Sequence, residues 1–105
     1  MTLLATLMNG GAQSAPSKTD TSLKTHTVTI ENMRFNPVQL IVHRGDRIVW
    51  VNKDLFPHTA TASSKAFDSG SIAANASWSF VARKAGDYAY GCSFHPTMTG
   101  RLVVQ

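Results

Sequence analysis

The sequence lacks most of the features that would assign it to a class of protein at once. Cys92 is the only cysteine, so an internal disulfide is excluded. No apolar run approaches the roughly 20 residues that a membrane-spanning helix requires. Charged residues make up only 15% of the chain. No cluster of Lys and Arg alternates with aromatic residues, which argues against a nucleic-acid-binding surface.

Length and charge set further limits. A chain of 105 residues is expected to form one domain with a single modest hydrophobic core. The formal net charge of +4 is mildly basic, and such a charge is compatible with an acidic protein partner or an anionic membrane surface.

The first 22 residues differ in composition from the rest of the chain. The apolar segment 1–8 is followed by small residues up to Ala15, as at the end of a secretory signal whose positively charged beginning is missing. Cleavage after Ala12 would leave small residues where they are needed, and a tail without a targeting role is the alternative. We expect residues 1–22 to be a signal remnant with a flexible Ser- and Thr-rich tether. Residues 23–105 would then form the domain of a periplasmic or otherwise exported protein.

Short alternating segments separated by turns dominate the sequence from His26 onward. The predicted strands are 27–30, 38–42, 47–52, 77–82, 88–92 and 100–104, and the stretch 61–76 is expected to be a loop with at most one short strand. Ile48 and Trp50 share one face of their strand while Val49 and Val51 share the other, which predicts a central, covered strand. Seven or eight short strands at this spacing predict an all-β, Greek-key β-sandwich.

Four residues carry the chemistry. Cys92, His95 and Met98 follow one another at intervals of three residues, and His58 ends a separate strand-like run upstream. Together they offer one thiolate, two imidazoles and one thioether, the donor set of trigonal electron-transfer copper sites with a weak axial Met. Thiolate and thioether favour Cu(I), and imidazole binds both oxidation states. The mixture therefore suits a copper ion that cycles between Cu(I) and Cu(II).

Each of these residues also has a simpler explanation. A lone cysteine is most often a small buried hydrophobic residue, and a lone methionine usually fills the core. Structural zinc sites take four Cys or His ligands and do not use Met. A catalytic thiol would use a histidine as its base but would not need Met98. The joint arrangement favours copper, whereas His26 and His43 have no soft ligand beside them and are predicted to be solvated.

These residues resemble the cupredoxin family of small blue copper proteins over almost all of the segment 25–105. The short ligand loop, with two residues between Cys92 and His95 and two between His95 and Met98, is most similar to amicyanin, with plastocyanin and pseudoazurin as wider relatives. The motifs that carry the resemblance are Met33-x-Phe35-x-Pro37, Gly45-Asp46, Trp50-x-Asn52-x-Asp54-x-x-Pro57-His58, Phe67-Asp68-Ser69-Gly70 and Gly86-Asp87-Tyr88-x-Tyr90-x-Cys92-x-x-His95-Pro96-x-Met98-x-Gly100.

The resemblance implies a blue copper protein with one type 1 copper ion held by His58, Cys92, His95 and Met98. It implies a soluble, monomeric one-electron carrier that is not an enzyme and has neither a membrane span nor a nucleic-acid partner. The alternative is a periplasmic copper carrier or storage protein without an electron-transfer partner. An enzyme such as a copper oxidase or nitrite reductase would need a second copper centre, which so short a chain cannot easily build.

The expected partners are redox proteins, for example a c-type cytochrome or a dehydrogenase. They would dock on the apolar surface around His95, because transient redox contacts bury little area. Basic residues are expected to attract an acidic partner to this surface. These residues are Lys53, Lys84 and Arg101.

Three residues beside the ligands are expected to tune the site. By analogy with its family counterpart, Asn52 would bridge the two ligand loops through Ser93. Phe94 stands where amicyanin, plastocyanin and pseudoazurin have proline before the second histidine. Because proline has no backbone N–H, Phe94 adds a donor that is expected to reach the sulfur of Cys92. The alternative is that the Phe94 ring simply covers the copper.

Overall fold

The computed structural model describes residues 22–105, which form two four-stranded sheets. The strands are β1 (Thr25–Glu31), β2 (Arg34–Asn36), β3 (Gln39–Val42), β4 (Arg47–Asn52), β5 (Thr61–Ala62), β6 (Ser77–Val81), β7 (Gly86–Gly91) and β8 (Thr99–Val104). One sheet has the order β2-β1-β4-β6 and the other has the order β3-β8-β7-β5. The pairs β1–β4 and β3–β8 are parallel and the others are antiparallel. The predicted all-β sandwich is confirmed.

All six predicted strands are present, with ends shifted by no more than two residues. The loop 61–76 contains one short strand, β5, as expected. β2 was not predicted, because a three-residue strand with Phe35 as its only apolar residue shows no alternation. It forms because it pairs with β1, where Phe35 lies opposite Ile30. The predicted signal remnant lies outside the described residues, and within 22–105 there is no helix with the length and apolarity to cross a membrane.

β4 lies at the centre of its sheet, between β1 and β6. Ile48, Trp50 and Asn52 point inward and are fully buried, whereas Val49 and Val51 are half-buried on the outer face. β4 is central as predicted, but the residues on its outer face are only partly buried. Other buried core residues come from both sheets and their loops: Val28, Ile30, Phe35, Val42, Phe67, Ile72, Tyr90, Leu102 and Val104.

The sandwich has two functionally distinct ends. At the ligand end, β4 stops at Asn52, six residues before His58, and β7 stops at Gly91, directly before Cys92. At the far end, the turn before β4 and the turn after β6 are joined by backbone hydrogen bonds. Gly45 N–H donates to the carbonyl of Ala82 (2.6 Å), and Ala82 N–H donates to the carbonyl of Asp46 (2.9 Å).

Asp46 organises the far end. The whole residue is only 1% exposed. It accepts the N–H groups of Lys24 (3.0 Å) and His43 (3.1 Å), and it lies 2.9 Å from Nε2 of His26. The hydrogen bond from His26, with those from the backbone, outweighs burial and lowers the pKa of Asp46 to about 2. The prediction that His26 is solvated is therefore wrong, because its ring pairs with Asp46, whereas His43 is exposed as predicted.

We predict that Asp46→Asn lowers the free energy of unfolding by about 1–3 kcal/mol at pH 7, since it removes a charged acceptor of three hydrogen bonds. The folded-state pKa of about 2 lies below the ordinary value of 3.8. The ionised carboxylate therefore stabilises the fold fully above about pH 4, and this contribution is lost as the pH falls from about 4 towards 2. Denaturant unfolding between pH 7 and pH 2 measures both effects.

The control for this variant is Asp87→Asn, which changes an exposed carboxylate paired with an exposed Arg101. Surface pairs of this kind contribute about 0–1 kcal/mol, so the control should unfold almost like the wild type. An Asp46→Asn protein that retained the acid dependence of the wild type would show that another group is responsible.

Candidate metal centre

Two loops at the ligand end bring three of the predicted ligands together. One donor atom from each of His58, Cys92 and His95 lies within 4.8 Å of the other two. The sulfur of Cys92 is 3.7 Å from Nδ1 of His58 and 3.6 Å from Nδ1 of His95. His58 is fully buried and Cys92 is 3% exposed, whereas His95 is half-buried. The cluster is thus closed to solvent except on the side of His95.

The spacing of these atoms fits a trigonal ion. Bonds of about 2.0 Å to nitrogen and about 2.3 Å to sulfur, as in zinc sites, place the two atoms about 3.7 Å apart when the angle at the ion is about 120°. The two nitrogen–sulfur distances in the structure, 3.7 and 3.6 Å, agree with this value. The three side chains therefore already have the arrangement of a trigonal His₂Cys site.

Asp54 fixes the tautomer and the orientation of His58. Nε2 of His58 lies 2.8 Å from Oδ2 of Asp54. An ionised carboxylate can only accept hydrogen bonds, so Nε2 carries the proton and donates it to Asp54. The lone pair of Nδ1 then faces the sulfur of Cys92. A carboxylate behind a ligating histidine is a common way to hold the ring and make it a better ligand.

The same carboxylate also holds the turn between β1 and β2. Oδ1 of Asp54 accepts the N–H of Asn32 (2.8 Å), and Oδ2 accepts the N–H of Met33 (3.0 Å). Both residues have positive φ, 55° and 61°, a strained conformation for residues other than glycine. Burial acts to raise the pKa of Asp54, but the hydrogen bonds from Met33, His58 and Asn32 together lower it. Asp54 thus stays ionised and joins this turn to His58.

Thr59 connects the two ligand loops. Its backbone N–H donates to the sulfur of Cys92 (3.3 Å), and its Oγ1 accepts the N–H of Ser93 (2.7 Å). The expected donor to the sulfur was the N–H of Phe94, but within residues 22–105 the backbone hydrogen bond to this sulfur comes from Thr59. The Phe94 side chain is 51% exposed. The expectation of a Phe94 N–H donor is therefore wrong.

Asn52 does not bridge the loops through Ser93, so this part of the sequence interpretation is wrong. Its Nδ2 donates to the carbonyls of Phe56 and Ile72, both at 2.9 Å, and its Oδ1 accepts the N–H of Asp54 (2.9 Å). Asn52 thus shapes the loop that carries His58 from within. The physical reason is position: Asn52 is buried under its own loop, whereas Thr59 directly faces Ser93.

Met98, the fourth predicted ligand, is 3% exposed and belongs to a loop closed by its own backbone. Cys92 N–H donates to the carbonyl of Met98 (3.1 Å), Met98 N–H to that of His95 (2.9 Å), and His95 N–H to that of Cys92 (3.2 Å). A Cβ atom on Gly91 would lie 2.8 Å from the carbonyl oxygen of Met98. Glycine is therefore needed there, and sequence analysis missed this although a glycine beside Cys92 was a visible signal.

Apolar side chains surround the cluster on its exposed side. We call Leu55, Phe56 and Phe94 the apolar rim; they are 90%, 47% and 51% exposed. The ring centroid of Phe56 lies 5.5 Å from that of His58 and 6.2 Å from that of His95. Sequence analysis did not single out Phe56, although its position two residues before a ligand was a signal.

The predicted basic residues do not all lie near this rim. Lys53 follows β4 at the ligand end, but Lys84 belongs to the turn after β6 at the far end. Arg101 pairs with Asp87 at 3.0 Å, which offsets its charge. Of the three residues, only Lys53 is placed as expected to attract an acidic partner to the rim.

Comparisons with known proteins agree with this geometry. The family described as a cupredoxin-like domain matches residues 1–104. The amicyanins of Paracoccus versutus and Paracoccus denitrificans are 26% and 29% identical to this chain in alignments of 83 positions that cover 74% of this chain. The chain spans 63% of the length of these relatives.

Two solved structures illustrate the range of similar folds. A Cu(I) form of an amicyanin variant matches with a TM-score of 0.72 and 27% identity, over 77% of this chain and 82% of that one. A copper-containing nitrite reductase from Thermus scotoductus SA-01 matches with a TM-score of 0.73 and 26% identity. That match covers 77% of this chain but only 22% of the nitrite reductase.

We predict that Thr59→Val loosens the connection between the loops. Valine has the same shape but cannot accept the N–H of Ser93, so the free energy of unfolding should fall by about 1 kcal/mol. Bound copper should also show a shifted visible spectrum, because Cys92 and His58 are then less firmly aligned. Thr29→Val is the matched control, since it removes a hydroxyl that bonds to Asn36 on β2. Equal spectral shifts in both variants would contradict the role assigned to Thr59.

We predict that Asp54→Ala lowers copper affinity about 10–100-fold, the usual effect of removing a partner that orients a ligating histidine. Nitrogen-detected NMR of the metal-free protein should show faster solvent exchange of the His58 Nε2 proton, because its acceptor is gone. Glu31→Gln, on an exposed neighbouring carboxylate, is the control for the change in charge. Unchanged exchange at Nε2 in the Asp54 variant would rule out the positioning role.

Proposed function

The chain belongs to the cupredoxin-like family, and we propose that it is a blue copper protein that acts as a soluble, monomeric one-electron carrier between redox partners. His58, Cys92, His95 and Met98 are the residues that would hold the copper ion. The observation that carries this proposal is the trigonal spacing of one sulfur and two imidazole nitrogens. When bound, copper supplies the one-electron change between Cu(I) and Cu(II).

The surroundings of the ligands favour electron transfer because they restrict movement. Asp54 holds the ring of His58, and the N–H of Thr59 holds the sulfur of Cys92. The backbone bonds within the loop fix His95 relative to Cys92. An ion that changes its oxidation state among fixed ligands needs little rearrangement of the protein, and hydrogen bonds around the ligands also tune its potential.

We propose that a redox partner docks on the apolar rim and exchanges the electron through the ring of His95. His95 is the half-buried ligand, whereas His58 and Cys92 are buried. Transient redox encounters are small, and a few exposed apolar side chains provide enough contact for them. A c-type cytochrome or a dehydrogenase is the class of partner that fits this proposal.

We propose no enzymatic activity for this chain. The likeness to the nitrite reductase covers only 22% of that enzyme. Such an enzyme would need a second copper centre with open coordination positions, and residues 22–105 contain one close group of metal-ligating side chains. We also propose export, to the periplasm or elsewhere, from the composition of residues 1–22.

The deciding experiment is a visible spectrum of the copper-loaded protein combined with a redox titration. We predict an intense thiolate-to-copper absorption that bleaches reversibly on reduction. Cys92→Ser should abolish this band, because serine supplies no thiolate, whereas His43→Ala should retain it because His43 is exposed and distant from the loops. A Cys92→Ser protein with an undiminished band would refute the assignment. A band that did not bleach reversibly would refute electron transfer.

A further inference from the structure

The far end of the sandwich carries positive charge that the metal centre does not use. A surface hollow of about 420 Å³ is lined there by Lys24, Arg47 and Arg83. Arg83 also lines an adjoining hollow of about 630 Å³, together with Lys84. Four cationic side chains therefore line two hollows that share Val81 and Arg83.

Among residues 22–105, no carboxylate lines either hollow. Asp46, which lies in the turn beside Arg47, is 1% exposed and directs its oxygens inward to His26 and to backbone N–H groups. Asp87 is the second residue of β7, and its side chain pairs with Arg101 and not with the cations of the hollow. Asp46 remains an ionised acid beside the hollow, but it is buried, so among residues 22–105 an approaching anion meets the cations of the lining and no exposed carboxylate among them.

Backbone hydrogen bonds fix the chain segments that carry these cations. Arg47 N–H donates to the carbonyl of Lys24 (2.8 Å), which ties β1's entry to the start of β4. Arg83 directly follows Ala82, whose N–H and carbonyl both bond to the turn that contains Asp46. One guanidinium nitrogen of Arg47 also donates to Oγ of Ser79 (3.2 Å). A bound ligand would therefore find the backbone of the hollow fixed and would have to order only the exposed side chains of Lys24 and Arg83.

We propose that this hollow binds the phosphoryl group of an organic phosphate. Arginine presents a planar fork of donors that matches phosphate oxygens, and lysine adds a third positive charge. Leu23, which is 69% exposed, and Val81 also line the hollow. These two side chains form an apolar wall that the carbon-containing part of an organic phosphate would cover. A bare inorganic ion would leave this wall exposed.

The position of the hollow keeps it separate from the metal centre. Arg47 and Asn52 are the two ends of β4, and a strand of this length spans about 17 Å. A phosphate held at the far end therefore leaves the apolar rim free. The ligand has two possible sources, the headgroup of an anionic phospholipid at a membrane surface or a soluble phosphate ester, and the experiment separates them.

The experiment compares the full-length wild type with Lys24→Gln/Arg83→Gln. Neither side chain makes a structural hydrogen bond within residues 22–105, so the variant is expected to fold. The matched control is Arg34→Gln/Lys65→Gln, which removes one arginine and one lysine from exposed positions elsewhere. Binding is measured by sedimentation with phosphatidylglycerol or phosphatidylcholine vesicles. Chemical-shift changes of the ¹⁵N-labelled protein on addition of glycerol 3-phosphate give the second measurement.

If the ligand is a lipid headgroup, the wild type should bind phosphatidylglycerol vesicles and not phosphatidylcholine vesicles. The hollow variant should then bind about 30-fold more weakly, because each cation near an anionic surface contributes about a fivefold factor. The control should change by less than about twofold, since charges away from the surface are screened at about 0.15 M salt.

If the ligand is a soluble ester, glycerol 3-phosphate should shift the backbone amide signals of positions 24, 47 and 83 in the wild type and the control but not in the hollow variant. The vesicles should then not bind. The proposal is overturned if neither probe binds, or if the hollow variant and the control lose binding equally. These outcomes do not depend on copper, so they can be distinguished from failure of the proposed electron transfer.

Discussion

The contacts of Thr59 with the opposite loop are the constraint on which the candidate metal centre depends. His58 follows a strand of one sheet and Cys92 follows a strand of the other, so nothing in either sheet alone sets their separation. The N–H of Thr59 at the sulfur and its hydroxyl at Ser93 fix that separation from the residue next to His58. Because both contacts come from one buried residue, the separation of the two ligands is set by contacts within the protein.

Two aspartates, the buried Asp46 and the half-buried Asp54, repeat one physical arrangement at opposite ends of the molecule. Asp46 and Asp54 each accept two backbone N–H groups and contact Nε2 of a histidine. At the far end the histidine, His26, has no other task and the arrangement stabilises a turn. At the ligand end the histidine is His58, so the same arrangement also aims its free nitrogen at Cys92. The two arrangements differ in what lies on the other side of the histidine ring, which is Cys92 only for His58.

Sequence patterns were sufficient for the features that depend on residue type and period. Alternation identified β1 and β6, and the mixture of thiolate, imidazole and thioether identified the ligand set to be tested. The patterns failed where several polar residues compete for the same partners in loops. Asn52 and Thr59 both lie next to the loop of His58, and only their burial and direction decide that Thr59 reaches Ser93. Such choices are made by tertiary packing and leave no periodic signal.

The inward direction of Asp46 and Asp54 also changes the electrostatics of the surface. Both carboxylates count in the formal net charge of +4, but Asp46 is buried and the side chain of Asp54 is only 10% exposed. The exposed side chains of Lys24, Arg47 and Arg83, in contrast, line one hollow of the surface. The ligand end, in contrast, exposes apolar side chains. One β-sandwich thus presents a charged surface and an apolar surface about one strand length apart, so two different partners could bind without competing.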